Sequence, residues 1–359
     1  MTRRQRFCSS KGYTMVELMV AVAVAMVVTA LLTTAFIGLA RDQALRQKIT
    51  TMQGDARAAL TWMEQDMRQA SLNSGTGVIW TDVGGSAVSR PSVQIFANVP
   101  GGGFLDVKPG TGALLVVEGL NSTRAATVGT ITTSALGIPV TTVAGFAVGQ
   151  PVLFGDFGDA SWGVLSPGGA SGNTLSLSTT TNLVPGQQVK GLAAGASVRA
   201  ARSRLYYVDT ADELVRVTLN VPRAPSSPND LTAREVLAVG IENMQVTCQM
   251  DNGTGQFQAC PTALATTDPI AQESMAAFGV FQAGQGPLLP AASASLLRTM
   301  TAIVGARSRL PVDGRGQGDL KIPIAGVSLP VGGASDTANY ARRAYQISAA
   351  VRNTSLGVF

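Results

Sequence analysis

The sequence predicts an α+β protein: one long N-terminal α-helix, membrane-spanning in its first half and amphipathic in its second, packed on a large β-rich globular head. Three observations carry this prediction. Between Tyr13 and Ala40 the chain is apolar except for one charge, Glu17. Apolar residues then recur at spacings of three and four as far as about Leu72. Beyond that point helical periodicity gives way to short β-branched and aromatic runs, in a chain whose 359 residues include 40 glycines and 17 prolines to supply turns.

The N-terminal element divides into three parts. Residues 1–12 are basic: Arg3, Arg4, Arg6 and Lys11 lie there with no acidic residue among them. Residues 13–40 form the apolar segment, and Leu18 to Ala40, roughly 34 Å long at about 1.5 Å per residue, suffices to cross a bilayer core. The preceding positive charges keep the short N-terminal side cytoplasmic, which directs everything after Ala40 to the other side of the membrane, periplasmic or outside. Residues 41–72 continue the helix: Leu45, Ile49, Met52, Ala56, Leu60, Met63 and Met67 form an apolar stripe, and Arg41, Arg46, Lys48, Asp55, Arg57, Glu64, Asp66 and Arg68 occupy the intervening positions. The stripe reads either as a face that docks on the globular head and on neighbouring subunits or as ordinary core packing, and for most of its methionines core packing is the preferred reading. Gly54 weakens the helix by about 1 kcal/mol relative to alanine and is a place for a bend. Asn73-Ser74-Gly75-Thr76-Gly77 tolerates the left-handed conformation that ends a helix.

Residues 73–359 are read as the head. Strands are expected at Ser92 to Ala97, Leu114 to Glu118, Ile138 to Val143, Pro151 to Phe154, Leu175 to Ser178, Arg204 to Val208, Leu214 to Leu219, Glu242 to Gln249 and Arg343 to Arg352. The stretch from about 99 to 192 is dense in Gly, Thr and Ser, with pieces such as Pro100-Gly101-Gly102-Gly103 and Ser166-Pro167-Gly168-Gly169, and is read as a β-rich insertion.

Composition removes several function classes. The chain has no histidine, so Ser-His and Cys-His nucleophile systems are excluded, and the commonest general base and metal ligand are missing. No cofactor and no enzymatic activity are expected. Of the formal charge of +5, four units belong to the N-terminal basic stretch, so a chain without it is nearly neutral. Nucleic-acid binding is therefore not expected.

Among the three cysteines, Cys8 precedes the apolar run, and Cys248 and Cys260 remain as an even pair in an oxidising compartment. A bridge between them would pin a hairpin and contribute about 3 kcal/mol in the chain-entropy model. Redox or metal chemistry is the weaker alternative, because CxxC spacing and further ligands are lacking. Asp251-Asn252-Gly253 and Asp313-Gly314-Arg315-Gly316-Gln317-Gly318-Asp319 each read as a turn in preference to a calcium loop. Arg342 and Arg343 read as a solvated strand edge in preference to a phosphate site.

The informative oddity is Glu17. A carboxylate at the centre of an apolar membrane helix costs about 2.5 to 3.5 kcal/mol, somewhat less near its end, and such groups usually have partners. Cleavage between Gly12 and Tyr13 would create one, since the new α-amino group of Tyr13 would sit about one turn from Glu17 on the same helix, or within reach of Glu17 on a neighbouring one. An ordinary secretory signal cut at Ala21-Val22-Ala23 or Ala23-Val24-Ala25 leaves an apolar tail and is interrupted by Glu17. A plain signal anchor explains neither Gly12 nor Glu17, and a lipoprotein cysteine at Cys8 stands on the wrong side of the run.

The stretch Lys11-Gly12-Tyr13-Thr14-Met15-Val16-Glu17-Leu18-Met19-Val20 resembles the class III signal of type IV prepilins and type II secretion pseudopilins. The resemblance implies that residues 1–12 are a leader, that a prepilin peptidase cuts after Gly12, that Tyr13, where the family usually has phenylalanine, becomes the N-methylated terminus, and that Glu17 directs assembly. The distal order is similar to the PilW-like minor pilins: Arg204-Leu205-Tyr206-Tyr207-Val208, then Val239 to Val246, then Leu297 to Ser308, closing with Arg342-Arg343-Ala344-Tyr345-Gln346-Ile347-Ser348-Ala349-Ala350-Val351-Arg352-Asn353. That resemblance implies a pilin-like head and a minor pilin that primes assembly of a type IV pilus or sits at its tip, with the major pilin and other minor pilins as partners. Its location would be the inner membrane before assembly, then the pilus and cell surface. The alternatives are a J-type minor pseudopilin of type II secretion, and a membrane-anchored adhesin whose residues 99–192 bind a surface.

Overall fold

A computed structural model describes residues 13–70, 78–83, 86–96, 99, 105–131, 137–155, 160–178, 192–220, 224–225, 227–251, 256–260, 297–307 and 342–351. The fold class is the expected one, a single long helix followed by β-rich structure in antiparallel sheets. The chain divides into two units, Met1–Thr51 and Met52–Phe359.

Helix α1, Met15–Gln69, begins in the first unit and ends in the second. Within the first unit its apolar side chains are exposed all round, as Val20, Leu31 and Phe36 illustrate, and the segment is long and apolar enough to cross a membrane. Its hydroxyls are satisfied internally, as a lipid environment requires: Thr29 donates to the Ala25 carbonyl at 2.7 Å and Thr33 to that of Thr29 at 2.8 Å. Helical structure runs through Gly54. From Met52 onward the predicted stripe is buried: Met52, Ala56, Leu60, Met63 and Met67, joined by Ala59 and Asp66. The expected stop at Asn73 to Gly77 lies outside the described residues.

The strands are β1 (Val78–Val83), β2 (Ser86–Pro91), β3 (Val93–Phe96), β4 (Ala113–Ala126), β5 (Gly137–Pro139), β6 (Pro151–Gly155), β7 (Ala160–Ser171), β8 (Thr174–Leu177), β9 (Ser197–Val208), β10 (Glu213–Leu219), β11 (Leu231–Val239), β12 (Ile241–Asp251), β13 (Phe257–Ala259), β14 (Leu297–Arg307) and β15 (Arg342–Ala350). Among the described residues, eleven strands form one sheet whose main path runs β11-β10-β9-β6-β7-β1-β2. Its axis is β9, whose Ser203–Val208 pair with β10, whose residues 197–200 pair with β6, and whose other edge carries β4. The pairings within this sheet are antiparallel apart from β1 with β7. A four-stranded antiparallel sheet, β13-β12-β14-β15, completes the described head.

Alternation along β9 and β10 separates two faces. Leu205, Tyr207, Val215, Val217 and Leu219 point into a cluster with Phe96, Val99, Leu115 and Val107. Arg204, Tyr206 and Arg216, one residue out of phase, face the buried end of α1. The Gly/Thr/Ser-rich region supplies β4 to β8 and a second core of Ile131, Ile138, Val140, Val152, Phe154, Leu165, Leu175, Leu177 and Val198. β4 pairs with β3 on one side and β9 on the other, so it belongs to the middle of the sheet.

One turn joins the two sheets. Gly240, between β11 and β12, has φ +82°, donates to the Asp212 carbonyl at 2.7 Å and accepts from the Arg307 N–H at 2.7 Å. A Cβ placed there would stand 2.5 Å from the Arg307 carbonyl oxygen, a backbone atom held within β14. Gly240→Ala therefore meets both φ strain and a backbone clash, and is expected to destabilise the head by about 2 kcal/mol or more. Urea unfolding followed by tryptophan fluorescence reads this directly, and an unchanged midpoint refutes it.

Candidate functional site

The N-terminal site is assembled by the first turn of α1. Thr14 precedes the first helical residue, its hydroxyl oxygen accepts from the Glu17 N–H at 3.3 Å, and its own N–H donates to Glu17 Oε2 at 2.9 Å. The Thr14 hydroxyl also reaches Glu17 Oε2, at 3.1 Å. This is a capping box, with Thr14 at the N-cap and Glu17 at the third helical position, and it satisfies backbone donors that would otherwise be orphaned at a helix start. The carboxylate also lies at the positive end of the helix dipole. These bonds fall on Oε2, and among the described residues no donor meets Oε1. Tyr13 is exposed, and Gly12 lies outside the described residues. The Thr14 contribution was not anticipated from the sequence, although the signal was present as Thr-x-x-Glu directly before an apolar run.

A second constellation holds the distal end of α1 to the sheet. Asp66 is 2% exposed; its carboxylate forms an ion pair with Arg204 and accepts from the Tyr206 hydroxyl, and Arg216 Nη1 lies 3.9 Å from Oδ2. Arg216 in turn bonds Glu235 through Nε at 2.9 Å and stacks its guanidinium 5.2 Å from the centre of the Trp62 ring, a cation–π contact one helical turn before Asp66. Burial, and then the Asp66 charge, push the Tyr206 phenol far above its ordinary pKa, which keeps it a donor. Beside this group Glu118 pairs with Arg202; its pKa is raised, chiefly by burial. The sequence sets Asp66 only among the charges interspersed with the apolar stripe, and the structure buries it. A buried helical carboxylate is tolerated because sheet cations and a phenol, far away in sequence, meet it.

The remaining candidates are located as follows. Cys248 and Cys260 form a disulfide with Cα atoms 5.3 Å apart. It closes the β12–β13 hairpin beyond the Gln249–Ala259 pair, where the Cys260 N–H also donates to the Cys248 carbonyl. Asp251 ends β12, and its carboxylate lies 3.3 Å from Arg298 Nη2; Asn252 and Gly253, like Asp313 to Asp319, lie outside the described residues. Arg342 departs from the solvated-edge expectation. It makes two hydrogen bonds to Glu242, at 2.9 and 3.0 Å, and its side chain is 8% exposed, because Glu242 on β12 is buried and needs a counter-charge. Arg343 is exposed. Among the described residues no cluster of acidic, cysteine or histidine side chains fits a metal ion.

Residues 8–33 match a family model described as the prokaryotic N-terminal methylation motif. No curated protein and no solved structure matches the chain. The matched stretch contains Gly12, Tyr13, the Thr14–Glu17 cap and the first turns of the apolar helix. Motif and helix together support a type IV pilin-like protein, processed by a prepilin peptidase and anchored by a single pass in the inner membrane.

Proposed function

We propose that this chain is a minor pilin of the PilW-like kind, a non-enzymatic subunit that primes assembly of a type IV pilus or takes its tip. In this reading the peptidase cuts after Gly12, Tyr13 is N-methylated, and the chain waits in the inner membrane with a periplasmic head. It then enters the filament beside the major pilin and other minor pilins. The observation that carries the reading is the coincidence of the methylation motif with a glutamate fixed in the first helical turn, one of whose carboxylate oxygens meets no donor among the described residues. The new amine of Tyr13, basic with or without the methyl group, is the donor that fits this oxygen, within its own chain or across to a neighbour. The β-rich head and the closing strand that begins Arg342-Arg343 favour the PilW-like type.

The test is intact-mass and N-terminal peptide mass spectrometry on sheared surface filaments and on the matching membrane fraction. A chain beginning at N-methylated Tyr13 and present in sheared filaments is the expected result. The same terminus confined to the membrane fraction would favour a J-type pseudopilin. A chain starting near Val24 or Met26, or retaining Met1, would overturn the pilin reading.

A further inference from the structure

Among the described side chains, most arginines of the large sheet are matched to carboxylates. Arg202 pairs with Glu118, Arg204 with Asp66, Arg216 with Glu235 and Arg234 with Asp209. Arg124 on β4 and Arg199 on β9 are the exception: they stand directly opposite each other in the ladder, and among the described residues neither meets a carboxylate. Cross-strand neighbours have Cβ atoms about 4.5–5.5 Å apart, and like charges so placed destabilise a sheet.

The local backbone is shaped around this pair. Between Gly119, opposite Ala201, and Arg124, opposite Arg199, β4 carries extra residues that bulge from the ladder. The bulge brings Asn121 back over β9, where its Oδ1 accepts from Arg199 Nη1 at 2.7 Å, and Ser197 Oγ accepts from Arg199 Nε at 3.0 Å. Two neutral acceptors therefore hold the half-buried guanidinium in place without neutralising it, and among the described residues no acceptor meets its Nη2. Burial, and then the Arg124 charge, lower the Arg199 pKa, as expected for a cation lacking its counter-ion. Bulges commonly re-aim side chains beside binding sites.

We infer that Arg124 and Arg199, with Asn121 and Ser197 as positioning groups, bind a phosphate-type oxyanion presented to the head. Two facing guanidiniums without counter-charge match a dianion, and a phosphate monoester carries roughly −1.5 to −2 at neutral pH. Inorganic phosphate and a phosphorylated sugar of a surface polysaccharide share this chemistry. The inference does not depend on the filament reading, because it concerns binding by the head alone.

Isothermal titration calorimetry on the full chain in dodecyl maltoside, which carries no phosphate, tests it with inorganic phosphate and with glucose 1-phosphate at ionic strength fixed by chloride. Saturable binding is expected, weakened about tenfold or more by Arg124→Gln. Tighter binding of the sugar ester would identify a glycan source, and equal binding would identify the free anion as sufficient. Because Arg124 is exposed, the variant should fold, and in phosphate-free buffer its unfolding midpoint should rise as the like-charge opposition is removed. Absence of saturable heat with both probes, or unchanged phosphate affinity in Arg124→Gln, would overturn the assignment.

Discussion

Asp66→Ala is expected to cost the head about 3–5 kcal/mol, because it leaves Arg204 as an unpaired, largely buried cation and removes the acceptor of the Tyr206 hydroxyl. The loss exceeds what deletion of a surface charge produces. Glu64, two residues earlier on α1, supplies the control: its partner Arg68 is exposed, and such i,i+4 pairs contribute only about 0.3–0.5 kcal/mol. Asp66→Asn should fall between, since an amide oxygen still accepts from one partner but offers no charge to Arg204. Urea unfolding of the full chain in detergent, followed by tryptophan fluorescence and far-ultraviolet circular dichroism, measures all three. If Asp66→Ala unfolds within about 1 kcal/mol of the parent, the buried cluster does not secure the end of α1.

Asp66 also shows where sequence reasoning reaches its limit. The stripe from Met52 to Met67 was legible because apolar residues at spacings of three and four define a face wherever the partner surface lies. Asp66 falls on that face, yet its burial depends on Arg204 and Tyr206, which only the fold brings near. The strands β9, β10, β12 and β15 were legible through β-branched and aromatic runs between turn residues. The expected Arg204 to Val208 and Leu214 to Leu219 do pair as an antiparallel hairpin. β11 was missed because most of its residues are exposed on an edge strand, where no buried alternation is required. β7 was hidden for a different reason. Its Ser166-Pro167-Gly168-Gly169 has the chemistry of a loop, and the strand accommodates it through a register shift between Leu165 and Ala170.

The region 99–192 teaches the same lesson about composition. Many small residues do not preclude a core when Ile138, Val152, Phe154, Leu165 and Leu175 converge. Because β4 is paired on both sides, deletion of the whole segment would open the sheet, and loss of attachment after such a deletion would not by itself identify an adhesive surface. Point changes that keep the ladder intact are the proper instrument there.

Glu17→Ala is expected to leave insertion and cleavage after Gly12 in place while abolishing incorporation into filaments. Two physical roles are combined in that side chain, and Glu17→Gln separates them. Glutamine at the third helical position can still accept from the Thr14 N–H, so the capping box survives, whereas the negative charge that would meet the Tyr13 amine is lost. The capping contribution is about 0.5–2 kcal/mol at a helix end, small beside the cost of an unpaired charge in an apolar phase. If the charge pair governs assembly, Glu17→Gln fails as completely as Glu17→Ala, with both proteins accumulating as processed chains in the membrane fraction. Immunoblotting of sheared filaments against membranes, with the N-terminus of each variant checked by mass spectrometry, distinguishes these cases. Normal incorporation of Glu17→Gln would assign the role of Glu17 to helix initiation, and normal incorporation of Glu17→Ala would remove Glu17 from assembly altogether.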